Sequence, residues 1–209
     1  AGTTTGALPG QTSAGFADAW VTKHDSSGSL QWTRQFGSTE EAADSGEDVA
    51  TDSAGNIYVV GRTASSFQGT TNVGSFDAYL RKYGPDGSEL STVQFGTEGR
   101  DQAFAVAVDG QDSVYVLGET RGEFEGQTQA GKEDIFLVKF DSSGQQTWTT
   151  QFGTDVTDSA KDFAITDDGY AYVVGSTLGS IDPAFVKTAT DNDGFIVKLD
   201  PSGSQVWVR

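Results

Sequence analysis

The sequence repeats itself with a period of 57 to 59 residues, and this period constrains the fold more than any other feature. The phrase QFG places a phenylalanine at Phe36, Phe95 and Phe152. A second phrase, DAWV in its first copy, opens with Asp18, Asp77, Asp134 and Asp193. Such self-similarity is typical of folds that stack equivalent units, so we expect one supersecondary unit repeated along the chain.

Each unit is predicted to contain four strands and no helix. The first covers Val49 to Asp52 in one copy, and the second, IYVVG, is a continuous apolar run that we expect to be buried on both faces. The third carries the recurring aspartate, and the fourth ends in QFG. A turn such as DSSG joins the last two strands and requires glycine at positive φ. These glycines are Gly28, Gly87, Gly144 and Gly203.

Four-stranded antiparallel units at this period predict an all-β fold made of β-propeller blades. We expect the first strand to lie innermost, because it carries a small residue in each copy, at Ala50, Ala107 and Ala164. The QFG strand is then outermost. It carries a tryptophan except in the second copy, where Ser91 predicts looser packing.

The chain is predicted to form one partial propeller domain over residues 1–209, with about three and a half blades. Its sequence units run approximately over residues 1–63, 64–120, 121–177 and 178–209. Gly2 stands where the second strand of other units ends, and Arg209 stands just before a further QFG is expected. A ring needs at least about four blades. We expect further repeats of a longer chain, or else another copy of this chain, to cover the open ends, and the two cut phrases favour the longer chain.

The combined phrases DAWV, DSSG, WTRQFG and DSAGNIYVVG resemble the bacterial β-propeller repeat called SBBP over essentially the whole chain. The opening segment AGTTTGALPGQTSAG is similar to a form common in cyanobacterial members. The resemblance implies a seven-bladed parent propeller and a place in a secreted or surface-displayed bacterial protein. It implies no particular activity.

The charge and composition narrow the classes of partner. The chain has 13 Lys and Arg against 30 Asp and Glu, a formal net charge of −17, which argues against nucleic acid and anionic membranes. The charge suits a soluble, self-repelling surface, a cationic partner or bound metal ions such as calcium. Cysteine is absent, which excludes disulfides and cysteine nucleophiles. No apolar run approaches the roughly 20 residues of a membrane helix, so we expect no membrane insertion.

The acidic residues that follow each QFG are the candidate metal ligands. Asp44, Asp101 and Asp158 are predicted to lie in the loop between the outermost strand and the next innermost strand. Carboxylates on such a loop suit Ca²⁺, so we predict weak calcium sites there. The alternative is that they bond backbone N–H groups and tie one blade to the next. The further acidic residues of the first copy are Glu40, Glu41, Glu47 and Asp48.

Two residue types recur in all four copies of the third strand. They are the opening aspartates and the lysines Lys23, Lys82, Lys139 and Lys198. A repeated calcium site is one interpretation, but features shared by every repeat usually serve the fold. We therefore expect the aspartate to cap its loop and the lysine stem to cover the blade. The sequence DNDG, from Asp191 to Gly194, resembles half a calcium loop without its downstream glutamate.

Few residues are suited to catalysis. His24, the single histidine, occupies an apolar strand position and is predicted to be a packing residue. No serine lies in a G-x-S-x-G turn. Asp48 and Asp162 are near-axis candidates for a glycoside-hydrolysing pair, with Ala105 in the corresponding place. They largely follow the repeat, whereas a catalytic pair should break it.

These observations predict a non-enzymatic scaffold, adhesion or binding module of a secreted or surface-exposed bacterial protein. Its ligand, a protein or a glycan, is not specified by the sequence. The alternative is an extracellular hydrolase or lyase that uses near-axis carboxylates.

Overall fold

The computed structural model describes residues 1–38, 42–182 and 192–209. The described residues contain no helix. None of them therefore forms a helix that is long and apolar enough to cross a membrane. Glu40, Glu41 and Asp191, named above, lie outside the described residues. The strands are β1 (Gly2–Thr4), β2 (Asp18–His24), β3 (Leu30–Phe36), β4 (Asp44–Thr51), β5 (Ile57–Thr63), β6 (Asp77–Tyr83), β7 (Glu89–Phe95), β8 (Asp101–Val108), β9 (Val114–Thr120), β10 (Asp134–Phe140), β11 (Gln146–Phe152), β12 (Asp158–Ile165), β13 (Ala171–Thr177), β14 (Asp193–Leu199) and β15 (Gln205–Val208).

The strands form four antiparallel sheets, and each sheet is one blade. Blade 1 has the order β1-β2-β3, and blade 2 has the order β4-β5-β6-β7. Blade 3 contains β8 to β11 and blade 4 contains β12 to β15, again paired in chain order. The described chain is thus one three-stranded and three four-stranded blades. The predicted all-β partial propeller is confirmed.

The inner strands β4, β8 and β12 contact one another from blade to blade, so the predicted innermost position is confirmed. Each begins earlier than the sequence indicated. β4 starts at Asp44, which pairs with Thr63, and passes through a bulge between Gly46 and Asp48. The predicted start at Val49 was wrong, because the bulge interrupts the alternation by which a strand is recognised.

The hairpin turns between third and fourth strands have the predicted form. The positive φ angles are 83° at Gly28, 80° at Gly87, 87° at Gly144 and 84° at Gly203. In the first turn, Asp25 Oδ1 accepts the N–H groups of Ser27 and Ser29, each at 2.9 Å. The DSSG phrase therefore encodes its own turn, since the aspartate satisfies the turn amides and the glycine takes the left-handed conformation.

Each blade buries one face against the next blade. Leu80 and Val60 of blade 2 pack with Phe136 and Phe140 of blade 3 in one core cluster. The IYVVG strands β5 and β9 are buried as predicted. In β13 the equivalent strand is only partly covered, and Val174 is 38% exposed. No described blade lies on that face of blade 4.

His24 is exposed, so the prediction that it packs in a core was wrong. Its ring Nδ1 lies 3.0 Å from the carbonyl oxygen of Gly28. The equivalent residues Tyr83, Phe140 and Leu199 are buried, because the preceding blade covers each of them. Blade 1 has no preceding blade among the described residues.

The tryptophans of the outer strands connect neighbouring blades. Trp32 Nε1 donates to the carbonyl of Pro85 at 3.1 Å, and Trp148 Nε1 donates to the carbonyl of Pro201 at 3.1 Å. Ser91 is exposed and makes no such bond within the described residues. A cleft of about 630 Å³ opens between the outer strand of blade 2 and blade 3. Ser91 does not line this cleft, so the looser packing predicted from Ser91 stays a prediction.

Candidate functional site

The glutamine of the QFG phrase fastens a loop to the outer strand. In blade 3, Gln151 Oε1 accepts the N–H of Phe124 at 3.1 Å. Its Nε2 donates to a carbonyl of the same loop at 3.0 Å and to Asp134 at 2.9 Å. Gln35 and Gln94 make the equivalent contacts in blades 1 and 2. The recurring glutamine therefore holds the long loop between the second and third strands in place.

The aspartate that opens the third strand caps the same loop. Asp134 is fully buried, and it accepts the N–H of Ala130 at 2.7 Å and that of Gly131 at 3.1 Å. Equivalent pairs of bonds are made by Asp18 and Asp77. The predicted capping role is confirmed for these three aspartates.

The three candidate metal ligands are buried residues at the start of the inner strands. Asp101 accepts the N–H of Thr97 at 2.7 Å and its hydroxyl at 3.0 Å. Asp158 and Asp44 have the same bonds from the residue after their own QFG. Their predicted loop location was wrong, because the strand pairing already includes them, as for Asp101 with Thr120. Their hydrogen bonds tie one blade to the next.

Two aspartates face each other across the glycine of QFG at Gly37 and at Gly153. A Cβ added at Gly153 would lie 2.7 Å from Asp158 Oδ2 and 2.8 Å from Asp134 Oδ1. Gly37 is enclosed in the same way by Asp18 and Asp44. A larger residue would displace one of the two carboxylates, which explains why the phrase ends in glycine.

Burial and proximity change how these carboxylates titrate. Burial raises the pKa of Asp44, and the charge of Asp18 raises it further. The pKa of Asp101 is raised by burial and then by the charge of Asp77. These two inner-strand aspartates therefore hold a proton more readily than a surface aspartate does.

The aspartate pairs supply carboxylate oxygens, but N–H and O–H donors already occupy them. Within the ranges that the structure describes, no three His, Cys, Asp or Glu side chains are grouped so that they could hold a metal. Calcium binding at the three inner-strand aspartates stays a prediction. Of the other acidic residues named above, Glu47 and Asp48 lie within β4, and Asp193 and Gly194 open β14.

The near-axis carboxylates Asp48 and Asp162 lie next to the bulges of β4 and β12. Asp48 Oδ1 accepts the N–H of Val49 at 2.8 Å, and its Oδ2 accepts the N–H of Val106 in the next blade at 2.9 Å. Asp162 accepts the N–H of Phe163 at 2.8 Å and is exposed. Asp48 therefore links blade 2 to blade 3 by a hydrogen bond, and Asp162 occupies the equivalent position in blade 4.

The recurring lysine has partners that the sequence analysis missed. Lys139 Nζ lies 4.8 Å from the ring centre of Tyr115 and 3.6 Å from the Asp109 carboxylate. The Tyr115 hydroxyl donates to the same carboxylate at 3.0 Å. Lys82, Tyr58 and Asp52 repeat this arrangement. The signal in the sequence was an aspartate six residues before the tyrosine in both copies.

Two blade faces are uncovered within the described residues. On blade 4 the face includes Tyr172, Val174 and Trp207. Trp207 corresponds to Trp148, but its indole N–H makes no hydrogen bond to any described residue. On blade 1 the face is formed by residues such as Trp20, which lines a hollow of about 370 Å³. These are the faces through which the other blades pack together.

The stacked four-stranded blades, joined by hydrogen bonds and buried apolar faces, make the chain a β-propeller repeat module. The SBBP β-propeller repeat family matches residues 31–68, which extend from β3 into the loop after β5. Residues 31–68 therefore match an SBBP repeat, and the phrases of this segment recur in the other units.

A curated relative and a solved structure show further similarity. Regulatory protein FlaEY of Caulobacter vibrioides is 31% identical over 184 residues, which cover 81% of this chain and 19% of the relative. The chain thus spans less than two thirds of that relative. A crystal structure of a protein of unknown function from Bacteroides caccae has a TM-score of 0.32 and 11% identity, over 88% of this chain and 72% of that one.

Proposed function

We propose that the chain is a non-enzymatic propeller module, a scaffold or binding element of a secreted or surface-exposed bacterial protein, whose open faces are covered by further repeats of its own chain. The observation that carries the proposal is the open face of blade 4. On this face, Trp207 and Asp162 occupy the positions that are equivalent to Trp148 and Asp48. In their own blades, Trp148 and Asp48 form hydrogen bonds to the next blade. A further blade supplies a carbonyl to Trp207 and an amide to Asp162, partners that neither side chain finds in another described blade.

Two facts support a structural role within a larger protein. The side chains that recur in every complete unit, such as Gln151 and Asp134, are engaged in bonds that hold loops and blades together. The similar protein FlaEY is much longer than this chain and is described as regulatory, a role compatible with a binding scaffold. The extracellular location rests on the family resemblance.

The alternative, an extracellular hydrolase or lyase that uses Asp48 and Asp162, has less support. Both carboxylate oxygens of Asp48 accept backbone N–H groups, one of them from the neighbouring blade. A general acid or nucleophile needs an oxygen directed at substrate. Asp48→Asn and Asp162→Asn should therefore leave unchanged any hydrolysis found on a panel of glycans.

The test places a charge on the open face of blade 4 in the native full-length protein. Val174→Lys should destabilise it by roughly 2 kcal/mol, because a covering blade would bury the new charge without a partner. Leu90→Lys is the matched control, since Leu90 is 53% exposed on an outer strand and should tolerate lysine.

Thermal unfolding measures both variants, and light scattering gives the mass. An unchanged monomer mass with a lowered melting temperature only for Val174→Lys supports coverage by the same chain. A mass that falls in Val174→Lys indicates a second copy on this face instead. Equal melting temperatures for the two variants would contradict the proposal.

A further inference from the structure

Two arginines converge beside one aromatic ring between blades 2 and 3. The guanidinium carbon of Arg62 lies 5.0 Å from the ring centre of Phe76, and that of Arg100 lies 5.8 Å from it. Both arginines donate to one acceptor, Gln102 Oε1, at 2.6 and 2.9 Å. Stacking and a shared acceptor thus fix the two guanidinium groups close together.

A third arginine extends this group. The Glu133 carboxylate lies 3.1 Å from Arg121 Nε and 3.8 Å from Arg100 Nη1. We call Arg62, Arg100 and Arg121 the arginine cluster. One carboxylate thus serves two of its three cations.

Arg62 has no carboxylate within ion-pair distance among the described residues, although it is half-buried. Burial and the charge of Arg100 lower the pKa of Arg62, and Glu47 offsets part of this effect. Acidic residues are common in the chain, 30 against 13 basic residues, yet none of those described forms an ion pair with Arg62. Partly buried charges are normally paired, and the group that would pair with Arg62 is an anion.

The arginine cluster also breaks the repeat. Arg62 corresponds to Thr3 in blade 1, Glu119 in blade 3 and Ser176 in blade 4. Phe76 is likewise replaced by a different residue in the other copies. Residues that serve the blade fold recur in the units, whereas these occur in one place. Their convergence therefore has a cause other than the needs of the blade.

We propose that the arginine cluster binds the carboxylate of a small organic acid. Guanidinium groups present paired N–H donors that match a carboxylate in a bidentate geometry. Their positions are set before binding, which lowers the entropic cost of recognition. The net charge of −17 repels polyanions, so the ligand is a small mono- or dicarboxylate and not an acidic polymer. This inference does not depend on what covers the open blade faces.

The experiment follows the arginine side-chain Nε–H signals of the ¹⁵N-labelled protein by NMR during titration with succinate. Signals of Arg62 and Arg100 should move and saturate, and neutral succinamide should leave them unchanged. Calorimetry then compares succinate with poly-glutamate. Shifts that do not saturate, or tighter binding of poly-glutamate, would overturn the assignment of a small carboxylate.

Variants show whether the arginine cluster is the site. Arg62→Gln should weaken succinate binding at least about tenfold, and Arg100→Gln should do the same. Lys132→Gln removes the same charge at an exposed side chain that has no hydrogen bond or ion pair within the described residues, and should retain binding within about twofold. Melting curves confirm that each variant is folded. Equal weakening by Lys132→Gln, or unchanged binding by both arginine variants, would refute the site.

Discussion

Removal of the Tyr115 hydroxyl tests whether the recurring lysine, tyrosine and aspartate stabilise a blade. Tyr115 is fully buried, and its hydroxyl donates to Asp109 Oδ2 at 3.0 Å. The Asp109 side chain is 1% exposed, so water cannot replace a lost donor. In Tyr115→Phe the only partner that this oxygen retains among the described residues is Lys139, at 3.6 Å. The ring packing is unchanged, because phenylalanine fills the same space.

The cost follows from the loss of one hydrogen bond to a charged group. Such bonds contribute about 1.5–3 kcal/mol, so we expect Tyr115→Phe to reduce the free energy of unfolding by about 2 kcal/mol. The repeat supplies a matched control in blade 4. Tyr172 corresponds to Tyr115, but Thr166 stands where the aspartate would be. Tyr172→Phe should therefore change stability by less than about 0.5 kcal/mol.

Urea unfolding at pH 7, followed by tryptophan fluorescence, measures both variants. The dependence of unfolding free energy on urea should be unchanged, so that the midpoint reports stability alone. A double-mutant cycle of Tyr115→Phe with Asp109→Asn should give a coupling energy above about 1 kcal/mol. Equal costs for Tyr115→Phe and Tyr172→Phe, or no coupling, would refute the reasoning.

Three further predictions concern the aspartates and a glycine. By carboxyl ¹³C NMR, Asp101 should titrate above the ordinary pKa of 3.8, because burial raises its pKa. Asp86 should titrate below 3.8, because hydrogen bonds from Ser88 lower its pKa. The contribution of Asp101 to the free energy of unfolding is therefore greatest at low pH and is lost as the pH rises through its raised pKa. Titration of both carboxyl groups at 3.8 would contradict this prediction. If the inner-strand aspartates bind calcium, the melting temperature should be higher in millimolar calcium than in chelator, and no shift would contradict the calcium prediction. Gly118→Ala should reduce the free energy of unfolding by about 1–3 kcal/mol, because its Cβ would meet backbone and an aromatic ring. Gly110→Ala should change it little in the same urea assay, because its Cβ would make only ordinary contacts. Equal costs for the two variants would refute this explanation.

The strands and turns of the blades were predictable because each depends on local residues. The DSSG turn carries both the aspartate that accepts its amides and the glycine that takes positive φ, at Asp25 and Gly28. The IYVVG run identified β5 and β9 as buried strands. The start of β4 at Asp44 was missed, because a bulge hides the period-two alternation in the residues DSGED.

The candidate site was predictable only in part. The sequence identified the aspartates by their recurrence, but it placed Asp44 in a loop and could not indicate that Asp18 faces it across Gly37. His24 was predicted to be a packing residue from its strand position, and it is exposed because burial there depends on a preceding blade. The facing aspartates and the exposure of His24 both depend on residues that are distant in the sequence.

The sequence by itself determined the repeating unit, its four strands, its turns and the resemblance to the SBBP repeat, because hydrophobic patterning and turn chemistry act over a few residues. The tertiary structure alone decided which residues meet between units. Arg62, Phe76 and Arg100 are separated along the chain, and they form one cluster because blade 2 packs against the inner strand of blade 3. Contacts between blades depend on how whole sheets stack, and that stacking sums many weak interactions that no single phrase of the sequence contains.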